Sequence, residues 1–259
     1  MKPLAALDAK SVTTVLLDID ETLTTEGKLA AHAYEALERL HAAGKRVVPV
    51  TGRPAGWCDH IARMWPVDGV VGENGAFYFY FSDGRLHRRF LDNAATRATN
   101  RTRLEAIAGL ILRGVPGCAL ASDQSYRETD LAIDYCEDVK PLPLAAAERI
   151  AALMQESGLT ARISSIHVNG WFGAYDKLAM SRLFFSEVFG LDIDALNSSI
   201  VFTGDSPNDS PMFAFFENSV GVQNVRRFES RLSAAPKYIT TAPAGAGFAE
   251  LVAHLLKRP

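Results

Sequence analysis

The stretch TTVLLDIDET, residues 13–22, decides how this chain can fold. Its first half is a short apolar run, rich in β-branched residues, that stops at the carboxylate of Asp18. Runs of this length and composition are typical of a strand that is buried on both faces of a parallel sheet. A second carboxylate, Asp20, follows two positions later, so this strand is expected to end in a pair of acids.

The sequence on either side of this strand alternates between predicted helices and strands. Helices are expected over 30–43, from Pro54 to about Trp65, over 176–189, from Pro207 to about Phe215 and over 247–256, and strands over 46–50, 69–71, 199–203, 220–222 and 238–240. Such alternation builds parallel sheets through right-handed crossovers. The predicted fold class is therefore α/β, with a Rossmann-like parallel sheet core that carries helices on both faces.

The middle of the chain follows another pattern and is predicted to be an insertion. A hairpin around Ser82-Asp83-Gly84 is expected first, and then helices over 100–112 and 143–157 and strands over 117–121, 131–135 and 160–168. These helices and strands no longer alternate regularly, which favours a separate α+β unit whose strands are antiparallel. We therefore expect a discontinuous core domain, formed by residues 1–88 and 170–259, and an inserted α+β domain over 89–169.

Composition argues against several classes of protein. The 259 residues are 48% hydrophobic with a net charge of −3, which favours a globular protein and argues against a nucleic-acid partner. Cys58, Cys118 and Cys136 are scattered without a CxxC pair, so reduced thiols are expected rather than disulfides or a zinc cluster. No signal-peptide pattern and no membrane-spanning apolar run is present, so a cytoplasmic protein without a membrane partner is predicted.

Acidic residues follow two of the predicted strands. Asp18 and Asp20 end the first, and GDSPND, residues 204–209, places Asp205, Asn208 and Asp209 after another. Ligands of parallel sheets bind beyond the carboxyl ends of the strands, so these groups are expected at one edge. Their oxygens suit Mg²⁺, which takes few protein ligands. Taken alone, each cluster can also be a capped or solvated turn.

Two further positions point to a phosphate group. Thr51 lies between a strand and a helix, where its hydroxyl and nearby backbone N–H groups can cradle phosphate, although a helix cap is the commoner role. Lys177 starts a helix, an end that prefers negative charge, and a bound phosphate would remove that conflict; the alternative is an exposed helix lysine. Arg53 can add a cationic contact or lie on the surface.

Taken in the order in which they occur along the chain, these four motifs resemble those of the haloacid dehalogenase-like (HAD) phosphohydrolase superfamily. DIDET at 18–22 is similar to the nucleophile loop of that family, VTGRP at 50–54 to its second motif, Lys177 to its third and GDSPND at 204–209 to its fourth. The insertion resembles a C2-type cap, as in the Cof-like and sucrose-phosphatase-like branches. The segment ENGA at 73–76 also resembles a sequence found in those branches. The chain departs from many members at Glu21 and Ser206, where glycine is common, but neither departure removes a catalytic group.

The resemblance implies a mechanism. Asp18 would attack phosphorus and form an aspartyl-phosphate, and Asp20 would protonate the leaving oxygen and then activate water. Mg²⁺ is the implied cofactor, held by Asp18, the backbone carbonyl of Asp20, Asp205 and Asp209. Thr51 and Lys177 would complete the catalytic group by binding phosphoryl oxygens. Substrate contacts are expected from Thr51, Gly52, Arg53, Asn74, His167, Asn169 and Asn208.

The cap would contact the leaving group of the substrate. His167 and Asn169 alternate with apolar residues, so they are expected to share one face of a strand, from which they and Trp171 could read a sugar. The alternative is that Trp171 packs the joint between the domains and His167 is exposed or satisfied locally. Tyr126 and Arg127 are candidates for contacting a second anionic group.

The predicted function is Mg²⁺-dependent hydrolysis of small phosphate esters, with sugar phosphates as the favoured substrates. A phosphomutase shares this chemistry and stays open. A non-enzymatic receiver-like signalling module also combines Asp, Thr and Lys, but such modules are shorter and lack both a cap and an acid like Asp20. A dehalogenase is disfavoured, because Asp20 and the acids expected to bind metal would then have no role. A dinucleotide-binding protein is also disfavoured, because no GxGxxG motif follows the first strand.

Overall fold

The computed structural model describes residues 1–257, in which helices and strands follow one another along the whole chain. In chain order these are β1 (Lys2–Pro3), β2 (Thr14–Leu17), α1 (Ala31–Ala42), β3 (Arg46–Pro49), α2 (Ala55–Met64), β4 (Val70–Gly72), β5 (Phe77–Ser82), β6 (Arg85–Phe90), α3 (Ala94–Gly114), β7 (Ala119–Leu120), β8 (Leu131–Asp134), α4 (Leu144–Glu156), β9 (Thr160–Ile163), β10 (His167–Trp171), α5 (Lys177–Phe184), β11 (Ile200–Gly204), α6 (Ser210–Phe215), β12 (Asn218–Gly221), β13 (Tyr238–Ile239) and α7 (Ala244–Leu255).

A parallel sheet forms the core, in the order β1-β13-β12-β11-β2-β3. Its central strand β2 is buried on both faces, which explains its uninterrupted apolar run. Val15 and Leu17 pack with α1 and α7, whereas Leu16 points the other way and packs with α5 and α6. The predicted α/β fold with helices on both faces is confirmed.

The hairpin predicted after the third core strand extends this sheet. β4 joins it through a parallel bridge between Val50 and Val71, and β5 and β6 continue it in antiparallel fashion. The turn places Asp83 and Gly84 at φ of 52° and 72°. Left-handed backbone at both central residues matches the twist of the flanking strands, and an Asp-Gly pair adopts it readily.

The inserted segment forms a second, antiparallel sheet in the order β7-β8-β10-β9, packed against α3 and α4 around one hydrophobic cluster. The single strand predicted over 160–168 is wrong, because β9 and β10 are two strands joined by a turn. The Ser164 hydroxyl accepts the backbone N–H of His167 at 2.9 Å and stabilises that turn. β10 also continues through Trp171, past the boundary predicted at residue 170.

Helix α3 is longer than predicted, since it begins at Ala94 rather than near residue 100. The Asn93 side chain caps it by accepting the backbone N–H of Thr96 at 2.9 Å. No helix within residues 1–257 is both long enough and apolar enough to cross a membrane.

Candidate active site

Three neighbouring core strands deliver polar residues to one edge of the sheet. Asp18 follows β2, Thr51 lies just beyond β3, and Asp205 follows β11, and these strands are adjacent in the order β11-β2-β3. The carboxyl ends of parallel strands meet, so residues far apart in the sequence come together here. All three side chains are buried.

Lys177 lies at the centre of this cluster. Its ammonium Nζ donates to Asp18 Oδ1 at 2.9 Å and to Asp209 Oδ1 at 2.8 Å. Helix α5 holds the lysine in place, because the Asp176 side chain caps the helix by accepting the N–H of Ala179. Burial opposes the charge, but Asp18 and Asp209 raise the pKa of Lys177 above its ordinary value. The exposed alternative for this lysine is wrong.

Asp18, Asp205 and Asp209 form a compact carboxylate group, with one oxygen of each lying within 4.8 Å of the others. Asp209 is oriented by the backbone, since its Oδ2 accepts the N–H groups of Asp205 and Ser206 at 3.1 and 3.3 Å. Asp205 Oδ1 is buried and has no hydrogen-bond partner within the described part of the chain. Three buried carboxylates against one ammonium, with an unpartnered oxygen, are a donor set that fits Mg²⁺.

Crowding of these acids changes their ionisation. Burial, with the charges of Asp209 and Asp20, raises the pKa of Asp18 to about 7 even though Lys177 lowers it. Burial and the charge of Asp18 also raise the pKa of Asp205 well above its usual range. Both directions indicate a site with an excess of negative charge, which a cation would relieve.

Asn224 belongs to the same site, although it was not among the residues predicted from the sequence. Its Nδ2 donates to Asp205 Oδ2 at 3.1 Å and to the backbone oxygen of Glu21 at 2.9 Å, while its Oδ1 accepts the N–H of Ala244. The amide therefore fixes the Asp205 side chain. Its place shortly after β12, the strand beside β11, is the signal that could have identified it.

The side chain of Asp20 binds Arg53. Arg53 Nε lies 2.9 and 3.0 Å from the two carboxylate oxygens, and Nη2 donates to Oδ1 at 2.7 Å. The guanidinium lies over the ring of Trp57, 4.3 Å from its centroid. Arg53 is thus buried and ion-paired rather than a free surface cation.

Thr51 and Asn74 lie side by side on the core loops. The Thr51 hydroxyl accepts the N–H of Arg53 at 3.1 Å, and its carbonyl accepts the N–H of Asn74 at 3.0 Å. Asn74 adopts left-handed backbone, with φ of 57°, and packs against Gly52, where a Cβ would lie 3.2 Å from Asn74 Oδ1. The Asn74 Nδ2 group is buried and unpartnered within residues 1–257, so it is available to a ligand.

A narrow cavity separates the carboxylate group from the inserted sheet. Its walls include Asp18, Asp20, Gly52, Arg53 and Asn208 from the core and Arg127, Ser165, His167 and Asn169 from the insertion. His167 and Asn169 do share a face of β10, but both have acidic neighbours. His167 Nε2 lies 2.8 Å from Glu137 Oε2, and Asn169 Nδ2 donates to Asp130 Oδ2 at 2.9 Å.

Two aromatic residues considered as substrate contacts, Trp171 and Tyr126, do not line this cavity, although Trp171 lines a neighbouring one with Asn74, Lys177 and Asn208. Trp171 stacks on Tyr175, with ring centroids 5.5 Å apart, and packs in a cluster with Ile19 and Ala55 of the core. Trp171 therefore packs at the joint between the core and the insertion, which is the second of the two alternatives that the sequence left open. Tyr126 is exposed.

The insertion is tied to the core by a buried carboxylate that the sequence did not single out. Glu73 accepts the backbone N–H groups of Glu128 and Thr129 at 2.9 and 2.6 Å, and that of Ala55 in the core at 2.9 Å. Arg127 adds a bond to the carbonyl of Gly52 at 2.9 Å. The motif loops of the core and residues 127–129 of the insertion are thus joined by several hydrogen bonds.

Comparison with known proteins relates this arrangement to a family. The family model described as haloacid dehalogenase-like hydrolase matches residues 15–106. A phosphoglycolate phosphatase from Haloarcula marismortui is 30% identical over 242 residues, covering 92% of this chain and 95% of that protein. This similarity extends through the core and the insertion.

Solved structures share the fold. The Thermoplasma acidophilum protein 0175 superposes with a TM-score of 0.69 at 17% identity, over 94% of this chain and 98% of that one. A sugar phosphatase of HAD subclass IIB superposes with a TM-score of 0.63 at 15% identity, again over 94% and 98%. Both matches extend over the core and the inserted sheet together.

Proposed function

This chain belongs to the haloacid dehalogenase-like hydrolase family and is a phosphatase, and we propose that it hydrolyses small phosphate esters through a Mg²⁺-dependent aspartyl-phosphate on Asp18. The observation that carries the proposal is the contact of Lys177 with both Asp18 and Asp209, inside a group of three buried carboxylates. A carboxylate can attack a phosphate dianion only where cations offset the repulsion.

Each residue has a separate role in the proposed reaction. An oxygen of Asp18 forms a bond to phosphorus while the bond to the leaving oxygen breaks, and Asp20 gives that oxygen a proton. In the second half, Asp20 takes a proton from water, whose oxygen attacks phosphorus and releases Asp18. Lys177 and Thr51 bind the phosphoryl oxygens, and Arg53 holds the Asp20 carboxyl in position.

Mg²⁺ would be held by Asp18, the backbone carbonyl of Asp20, Asp205 and Asp209, with Asn224 orienting Asp205. When bound, it supplies positive charge beside the reacting phosphoryl group. We further propose that the inserted α+β unit over residues 89–169 acts as a C2-type cap that closes over the leaving group. Within it, Asn169 and His167 face the cavity, and Asn208 faces it from the core. Asn74 lines a neighbouring cavity beside Lys177 and Asn208.

Two kinds of substrate are candidates. Sugar phosphates are the first, because hydroxyl, amide and imidazole groups line the cavity and suit a polyol. A short carboxylated ester such as 2-phosphoglycolate is the second, because the relative from Haloarcula marismortui is named for it. The two differ in the charge of the leaving group.

Phosphate release from a panel of phosphate esters, with Mg²⁺ and with excess EDTA, tests the proposal. Wild-type protein is expected to release phosphate only with the metal, and Asp18→Asn is expected to release none. Activity that survives EDTA, or that survives Asp18→Asn, contradicts the mechanism. Isomerised sugar phosphate without free phosphate would indicate a phosphomutase instead.

A further inference from the structure

Positive side chains along the cavity already have carboxylate partners. Arg53 binds Asp20 from the core, and Glu137 and Asp123 from the cap, the last two at 2.7 and 3.4 Å. Arg127 is paired with Asp123 and with Asp130, at 3.1 and 3.0 Å. Within residues 1–257, four carboxylates therefore surround the two guanidinium groups that line this cavity.

Glu137 is the carboxylate of this group that contacts both Arg53 and His167. Its loop is fixed by Asp134, whose oxygens accept the N–H groups of Cys136, Glu137 and Asp138 at 2.8 to 2.9 Å. The Glu137 side chain bridges two groups, with Oε1 accepting from Arg53 at 2.7 Å and Oε2 lying 2.8 Å from His167 Nε2.

Charge on Glu137 persists at any working pH. Partial burial raises its pKa, but His167 and Arg53 outweigh this and lower the pKa to about 2. The carboxylate therefore offsets the charge of Arg53, and it places a fixed negative charge beside Arg53 and His167, which both line the cavity. A leaving group that reaches past Asp20 meets this charge.

We propose that Glu137 is a positioning residue for specificity, which acts through Arg53 and His167 to favour uncharged, hydroxyl-bearing leaving groups over carboxylated ones. This inference rests on the proposed phosphatase function, and it chooses between the two candidate substrates. An added carboxylate on the substrate would find Arg53 occupied and Asp20 and Glu137 close by. Like charges brought together in a buried site oppose binding strongly.

The test uses a matched pair of esters, 2-phosphoglycolate and 2-hydroxyethyl phosphate, which differ only in a terminal carboxylate or hydroxymethyl group. Each is measured as a competitive inhibitor of p-nitrophenyl phosphate hydrolysis with Mg²⁺, so a value is obtained whether or not the ester is turned over. Wild-type protein is expected to bind the hydroxyl ester at least about tenfold more tightly.

Three variants separate this role from a structural one. Glu137→Gln is expected to shift the binding ratio about tenfold toward 2-phosphoglycolate, because Arg53 loses a neutralising partner. Glu137→Asp keeps the charge and is expected to retain the wild-type preference. Asp138→Asn removes the same charge from an exposed neighbour bonded to Ser122, and it too is expected to retain that preference.

Tighter wild-type binding of 2-phosphoglycolate overturns the inference while leaving the phosphatase function intact. An equal loss of affinity for both esters in Glu137→Gln also overturns it, because that result indicates a structural role only. Wild-type protein that does not hydrolyse p-nitrophenyl phosphate at all overturns the proposed function, and the inference with it. A wild-type preference for 2-phosphoglycolate overturns the inference even where a variant does not fold.

Discussion

Asp18→Asn is expected to make the metal-free protein more stable while removing its activity. The pKa of Asp18 rises from 3.8 to about 7, because burial and the nearby carboxylates outweigh Lys177. Fully ionising such a group in the folded state costs about 4 kcal/mol. Asparagine stays neutral at every pH, and the raised pKa of Asp18 already includes the attraction of Lys177, which keeps Asp209 at 2.8 Å, so a net gain of about 4 kcal/mol is expected near pH 8.

The sign of the pH dependence follows from the direction of this shift. The folded-state pKa lies above the unfolded one, so the wild-type protein loses the Asp18 contribution as pH rises from about 4 to about 7. Urea unfolding in EDTA should therefore show equal stability of the two proteins near pH 4 and a growing advantage for Asp18→Asn toward pH 8.

The matched control is Asp20→Asn, which removes a carboxylate that is well paired. Three hydrogen bonds from Arg53 are weakened, so this variant is expected to be less stable than wild type by about 1 to 3 kcal/mol. A stability difference for Asp18→Asn that is negative, or that does not change with pH, refutes the reasoning about the charge excess at the site.

Three further changes test the geometry. Gly75→Ala is expected to destabilise the protein by more than about 2 kcal/mol and to lower kcat. The cause is that φ is 107° at this position and that a Cβ would lie 2.1 Å from the carbonyl oxygen of Asp176, the residue before Lys177. Thermal unfolding and steady-state kinetics check this. Glu73→Gln turns an amide N–H₂ toward the N–H donors of the cap loop and should speed hydrogen exchange at residues 128–130. Mg²⁺ should raise the Tm of the wild-type protein but not of Asp205→Asn; an equal rise in both would remove Asp205 from the metal site.

The core and the centre of the site could be predicted from the sequence, because parallel strands impose their own geometry. An apolar run that ends at Asp18, and another that ends before Asp205, had to bring both acids to one sheet edge. Lys177 was placed by its position at the start of a helix. Lys177 and Asp18 are 159 positions apart in the sequence, but their side chains are hydrogen-bonded in the structure. This contact brings together the first and third of the predicted motifs.

The contacts between cap and core could not be predicted in the same way. Glu137 lies in an irregular loop and meets Arg53 across 84 positions, and Glu73 meets Thr129 across 56. Neither residue belongs to a periodic pattern, and their partners depend on how two units dock. The turn at Ser164 has a local cause, because two serines interrupt an otherwise strand-like run and the Ser164 hydroxyl accepts the backbone N–H of His167.

The most direct test of the central claim is a search for phosphorylated Asp18 in the Asp20→Asn variant. p-Nitrophenolate leaves without a general acid, whereas hydrolysis of the aspartyl-phosphate needs Asp20 as the base. With Mg²⁺ and p-nitrophenyl phosphate, the variant should give a burst of about one p-nitrophenolate per site and retain acid-stable, hydroxylamine-sensitive phosphate on the peptide that contains Asp18. Wild-type turnover combined with no burst in Asp20→Asn, or with phosphate retained by Asp18→Asn, would contradict the account.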